Sequence, residues 1–96
     1  MNFIFCDDDT AFLDTITDLT RNELRRYPIE VQIITCSSGE QLLSQMENTE
    51  PDAIFLDIDM PEMTGFHVAE KLEKMPGSSI IIFVSSKDHL VFESFS

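Results

Sequence analysis

The stretch "DAIFLDIDMPEMTGF", residues 52–66, decides the fold. Its first part is a short apolar run that ends in acids at Asp57 and Asp59. A continuous apolar run of this length, bounded by turn formers, reads as a buried strand. "MPEMTG" then breaks the pattern as a turn or loop. Phe66, Ala69 and Leu72 follow at helical spacing and predict a helix ending near Met75-Pro76-Gly77. A strand apolar at nearly every position must be covered on both faces, which is the habit of parallel sheets.

Working outward, the same unit recurs. Residues 1–6 form a second apolar run. After it Phe12, Ile16 and Leu19 recur at helical spacing, and Leu13 and Leu24 widen the expected inner face. Asp9 or Thr10 suits the N-cap, and Tyr27-Pro28 ends the helix. "EVQIIT", residues 30–35, predicts another strand. Ser37 or Ser38 would cap a short helix to about Asn48, with Leu42, Leu43 and Met46 inward. "SIIIFVSS", residues 79–86, is the most hydrophobic strand, and "KDHLVFESFS" is expected to begin a fourth helix. The sum is βαβαβαβ in a single domain over residues 1–96. Such alternation calls for an α/β, doubly wound parallel sheet with right-handed crossovers.

Composition narrows the function. The chain has 96 residues, 43% of them hydrophobic, which suffices for one modest core. Eighteen acidic residues against six Lys and Arg give a formal charge of -12. That argues against a segment gripping nucleic-acid phosphates by itself and is compatible with a cation site or basic partners. Cys6 and Cys36 each close an apolar run without CxxC spacing, so both are expected to be buried thiols. No apolar run is long enough to span a membrane, and the expected setting is cytoplasmic.

In doubly wound sheets, binding groups gather beyond the carboxyl ends of the strands. Here the first strand ends at Asp7-Asp8, the third at Asp57 and the fourth at Ser85-Ser86. Converging carboxylates suit a hard cation such as Mg2+, which takes oxygen ligands in near-octahedral geometry. Asp7, Asp8 and Asp57 are the candidate side-chain ligands, with the Asp59 backbone carbonyl as a further oxygen. Asp9 is expected to cap the helix that follows. A carboxylate beside a metal can act as a nucleophile toward phosphorus, and the Ser85 hydroxyl could donate to a phosphoryl oxygen.

"IFCDDD" at 4–9, "AIFLDIDMPEMTGF" at 53–66 and "IIIFVSS" at 80–86 together resemble the response-regulator receiver domain of two-component signalling, CheY-like in type. The resemblance implies a flavodoxin-like topology. It implies Asp57 as phosphoacceptor from a sensor histidine kinase, with Mg2+ as cofactor. It also implies Ser85 as the switch hydroxyl and Asp59 and Lys87 as tuning positions. "CDDD" and "SSKDHLVFESF" look most like receivers joined to LytTR-type DNA-binding domains, so DNA contact is expected only through an output domain.

The resemblance also implies a fifth strand, carrying a lysine before a proline, and a fifth helix. Both are expected to be missing from this chain, leaving residues 80–84 as an uncovered edge open to dimerisation or element swapping. Phe92 and Phe95, three apart on the expected last helix, would either pack on the sheet or add to such a face. Two alternatives stand beside this reading. One is a receiver-like interaction module that is not phosphorylated. The other is a Mg2+-dependent aspartyl-phosphate phosphatase of haloacid dehalogenase type, whose Asp-x-Asp-x-Thr opening fits poorly because Ala11 holds the last position. His67 and His89 are expected at the surface, and Met60 and Met63 in turn packing.

Overall fold

A computed structural model describes residues 1–84 and the backbone of residues 92–95. Five strands and three helices follow in the order β1 (Asn2–Cys6), α1 (Thr10–Leu24), β2 (Gln32–Cys36), α2 (Gly39–Gln45), β3 (Ala53–Asp57), α3 (Gly65–Glu73), β4 (Ile80–Val84) and β5 (Phe92–Phe95). The sheet order is β2-β1-β3-β4-β5. The first four strands are parallel, as expected for a flavodoxin-like receiver topology.

Alternation along the strands sorts the residues between two faces. Ile4, Cys6, Ile54, Leu56, Ile81 and Phe83 join Leu42 of α2 and Val68, Ala69 and Leu72 of α3 in one buried cluster. Phe5, Phe55 and Val84 face the other way, toward Phe12, Leu13 and Ile16 of α1. Phe55 anchors that second face by edge-on contacts with Phe5 and Phe3, at centroid distances of 4.7 and 5.8 Å.

Each helix begins on a side-chain cap. Asp9, Ser38 and Thr64 accept from the backbone N–H groups of Phe12, Gln41 and His67 respectively. The helical faces differ in two places from those the spacing predicts. Leu19 is 59% exposed, while Thr17 is buried beside Leu13. Leu19 lies about 240° around the helix from Leu13, whereas Thr17 lies about 40° away. Likewise Phe66 is 50% exposed and Val68 is fully buried. Phe66 still covers the sheet edgeways, with its ring 5.1 Å from that of Phe83.

The end of the chain corrects a second expectation. Phe92–Phe95 is a strand, antiparallel to β4, with Val84 opposite Phe92 and Ile81 opposite Phe95. The spacing of Phe92 and Phe95 therefore does not mark a helix, and the outer edge of β4 is paired rather than uncovered. The reason is reach. Seven residues, 85–91, separate β4 from β5. A parallel return needs a crossover of a dozen or more, so the chain can only double back. Pairing this way satisfies the backbone groups along β4. The parallel fifth strand and fifth helix of the family pattern are absent among the described residues.

Gly65 fixes how α3 meets the end of β3. Its N–H donates to the Ile58 carbonyl at 3.0 Å. A Cβ at Gly65 would collide with the Asp57 carbonyl oxygen and stand 2.9 Å from the Ile58 Cα. Both obstacles are backbone, so no rotamer change relieves them. Gly65→Ala is expected to destabilise the domain by about 1–3 kcal/mol. A lower urea midpoint at unchanged slope would register this, and an unchanged midpoint would contradict the packing described.

Candidate functional site

Strand register creates the site. In the β1–β3 ladder Cys6 stands opposite Leu56, so the next residues, Asp7 and Asp57, emerge side by side. The Asp7 N–H donates to the Cys36 carbonyl at 3.0 Å, holding Asp7 at the sheet edge. Asp57 is paired with Val84 in the β3–β4 ladder. Asp7 and Asp57 are buried, at 4% and 6% exposure. Asp8 is exposed, and its carboxylate joins theirs, with one oxygen from each of the three lying within 4.8 Å of the others.

Both buried carboxylates are steadied by the same local device. The Asp9 N–H donates to Asp7 Oδ1 at 2.9 Å, and the Asp59 N–H donates to Asp57 Oδ1 at 3.1 Å. An aspartate that accepts from the backbone two residues on forms an Asx turn. This pairing of turns was not read from the sequence, although Asp-x-Asp occurs at both 7–9 and 57–59. The turn at Asp9 also begins α1, whose Phe12 N–H donates to Asp9 Oδ1 at 3.1 Å. Asp9 therefore serves the helix, as its position suggests.

Beneath the carboxylates the chain is packed and apolar. Cys6 Sγ approaches Met60 Sδ at 3.8 Å, and Met60 is buried. The Ile58 N–H donates to the Val84 carbonyl at 3.2 Å, tying the loop after β3 to the end of β4. On the α1 side a cavity of about 140 Å³ is bounded by Asp7 and Asp57 together with Phe5, Phe12, Phe55 and Val84. Asp59 and His67 are exposed. Ser85, Ser86, Lys87 and His89 lie outside the described residues.

Two ionised carboxylates as close as Asp7 and Asp57, within 4.8 Å, repel by about 3 kcal/mol at an effective dielectric near 20. The donor set suits a hard divalent cation. Mg2+ holds oxygens at about 2.1 Å, so its ligands sit within about 4.2 Å of one another. Small carboxylate rotations bridge the difference. The three aspartates thus fit a Mg2+ site, formed by oxygen donors alone.

Residues 3–93 match the family model of the response regulator receiver domain. The chain is a response-regulator receiver domain. It is 36% identical over 90 residues to the DNA-binding transcriptional activator EvgA of Escherichia coli, covering 93% of this chain and 42% of EvgA. It spans well under half the length of the curated relatives it matches. A CheY-like receiver domain from Methylobacillus flagellatus superposes with a TM-score of 0.78 at 23% identity, over 95% of this chain and 75% of that one. The response regulator TrrA, solved in complex with the histidine kinase ThkA, is also similar. The match has a TM-score of 0.65 at 26% identity, over 92% of this chain and 71% of that one. Among the described residues of this receiver, no helix is long and apolar enough to cross a membrane.

Cys6 and Cys36 face each other across the β1–β2 ladder, each 2% exposed and free of any disulfide. Burial pushes the Cys6 thiol up to about 12, with smaller contributions from Cys36 and then the aspartates, and pushes Cys36 up to about 11. Both thiols stay protonated near neutrality and are shielded from reagents. The folded values exceed the unfolded ones, so their contribution to stability is intact below pH 9. It is lost progressively as pH rises from there toward about 12 and 11. Ellman's reagent at mildly alkaline pH is expected to label neither cysteine in the native domain and both in urea. Rapid native labelling would show that the strand ends open.

Proposed function

We propose that this receiver accepts a phosphoryl group from a sensor histidine kinase onto Asp57 and thereby switches an output domain. The observation that carries this reading is the convergence of Asp7, Asp8 and Asp57 within 4.8 Å at the carboxyl edge of the sheet. Asp57 is the nucleophile. One of its oxygens forms the new bond to phosphorus as the bond to the kinase imidazole nitrogen breaks, and the imidazole leaves. The Asx turn from Asp59 holds the other end of the Asp57 carboxylate in place. Asp7 and Asp8, with Asp57 and the Asp59 backbone carbonyl, would hold Mg2+. When bound, Mg2+ supplies charge neutralisation for the carboxylates and the phosphoryl oxygens. Water later attacks the acyl phosphate and returns inorganic phosphate and free Asp57.

Phosphorylation adds about -1.5 to -2 charge and three strong acceptors beside the end of β4. Ser85 directly follows Val84, whose carbonyl already accepts from Ile58. We assign Ser85 as the hydroxyl drawn to those acceptors, and Asp59 and Lys87 as groups that tune the lifetime of the phosphate. The parent protein is proposed to be a cytoplasmic transcriptional regulator, supported by the likeness to EvgA, with DNA contacted by an output domain of LytTR type. A second reading, a receiver-like module that interacts without being phosphorylated, is favoured by one observation. β5 runs antiparallel at the position where the family pattern has a parallel, lysine-bearing strand.

Incubation with Mg2+ and a small acyl phosphate donor separates the two readings. Intact mass and peptide mapping are expected to show one phosphoryl group on Asp57, and none in Asp57→Asn. Asp8→Asn is expected to weaken Mg2+ binding by about tenfold, because ligand charge sets affinity at such sites. Label persisting in Asp57→Asn, or no uptake beside a competent receiver, would sink the phosphoacceptor reading.

A further inference from the structure

The carboxylates occupy one end of the parallel sheet, and the other end carries a different pattern. There the strand starts are laced together. The Met1 ammonium donates to the Glu30 carbonyl at 3.2 Å, Gln32 N–H to Met1 at 2.9 Å and Asp52 N–H to Asn2 at 2.8 Å. Two hollows open at this end. One, of about 840 Å³, is bordered by Met1, Met46 and Met75 and by Glu47, Glu50 and Asp52, with no Lys or Arg in its wall. The other, of about 210 Å³, lies between the end of α1 and the lead into β2. It is bordered by Arg21, Arg25, Tyr27 and Ile29, with no acid in its wall.

These hollows match each other. Arg21 and Arg25 are two of only six Lys and Arg in a chain of charge -12. Tyr27 and Ile29 are large, apolar and exposed, at 54% and 46%. Methionines are pliable and make favourable contacts with aromatic rings, so the acidic hollow has the surface to receive Tyr27. Its carboxylates have the charge to receive the two arginines. Met1 borders the acidic hollow and bonds to Glu30, the neighbour of Ile29. A two-fold arrangement of two copies would set each hollow against its counterpart on the other.

We propose that a second copy of this chain docks at the amino end of the sheet. Tyr27 and Ile29 of each copy enter the methionine hollow of the other, and Arg21 and Arg25 meet Glu47 and Glu50. The contact is isologous and closed, so association stops at the dimer. It leaves the aspartate site untouched and does not depend on phosphotransfer. The net charge opposes any self-association, while the local pairs act within a Debye length of about 8 Å.

Charge exchange provides the test, because salt would weaken both effects. The wild-type domain is expected to show a concentration-dependent monomer–dimer equilibrium in sedimentation velocity. Arg21→Glu with Arg25→Glu makes both contacts of a homodimer repulsive, as does Glu47→Lys with Glu50→Lys. Each double variant is expected to lose about tenfold or more in self-affinity. All four positions are exposed, and unchanged far-UV circular dichroism checks that folding is intact. An equimolar mixture of the two variants restores both contacts and is expected to form the heterodimer. A wild type that stays monomeric at every concentration overturns the proposal. So do variants that dimerise like wild type, or a mixture that remains monomeric. The same equilibrium in Asp57→Asn separates this outcome from that of the phosphoacceptor reading.

Discussion

Parallel, in-register pairing of β1 with β3 is the constraint on which the site depends. It places Cys6 beside Leu56 and thereby delivers Asp7 and Asp57 to the same edge at the same level. Neither carboxylate would choose that neighbour. Like charges at this range repel, and both are largely shielded from water. The ladder, anchored by the buried Ile4, Ile54, Leu56 and Ile81, imposes the arrangement. Hydrophobic burial in the strands thus holds together a cluster of like charges, whose repulsion a bound cation would relieve where it arises.

The two Asx turns make that arrangement economical. Asp7 and Asp57 each accept from an N–H two residues ahead, so the residue that carries the charge also turns the chain out of the strand. At the first turn Asp9 immediately caps α1. At the second the chain runs through the loop to Gly65, where only a glycine lets α3 start against the backbone of Asp57 and Ile58. The run of three aspartates is therefore three jobs in sequence, a buried site carboxylate, an exposed site carboxylate and a helix cap.

The strand–turn–helix units were legible because buried parallel strands leave unbroken apolar runs and end abruptly in acids. That alone aligned Asp7, Asp8 and Asp57, residues separated by about fifty positions. Helix faces were less legible. Thr17 is polar by composition but lies in the inward stripe, while Leu19 and Phe66 are apolar and lie largely outside it. Residue type misleads there, and angular position around the helix decides. The segment 92–95 was least legible. Two phenylalanines three apart fit a helix face as well as they fit anything local. What decides the matter is the number of residues available to return to the sheet and the unpaired edge of β4, neither of which is a property of those four residues.

A parallel sheet also has two chemically distinct ends, and this chain uses them differently. At the carboxyl end like charges are gathered, which favours an outside cation. At the amino end opposite charges are kept apart in two separate hollows, Arg21 and Arg25 in one and Glu47 and Glu50 in the other. The strands between are short, five residues each from β1 to β4. A strand of that length spans about 17 Å, about twice the distance over which exposed charges act at physiological salt. The exposed charges of the two ends, Asp8 at one and Arg21, Arg25, Glu47 and Glu50 at the other, are therefore largely screened from each other.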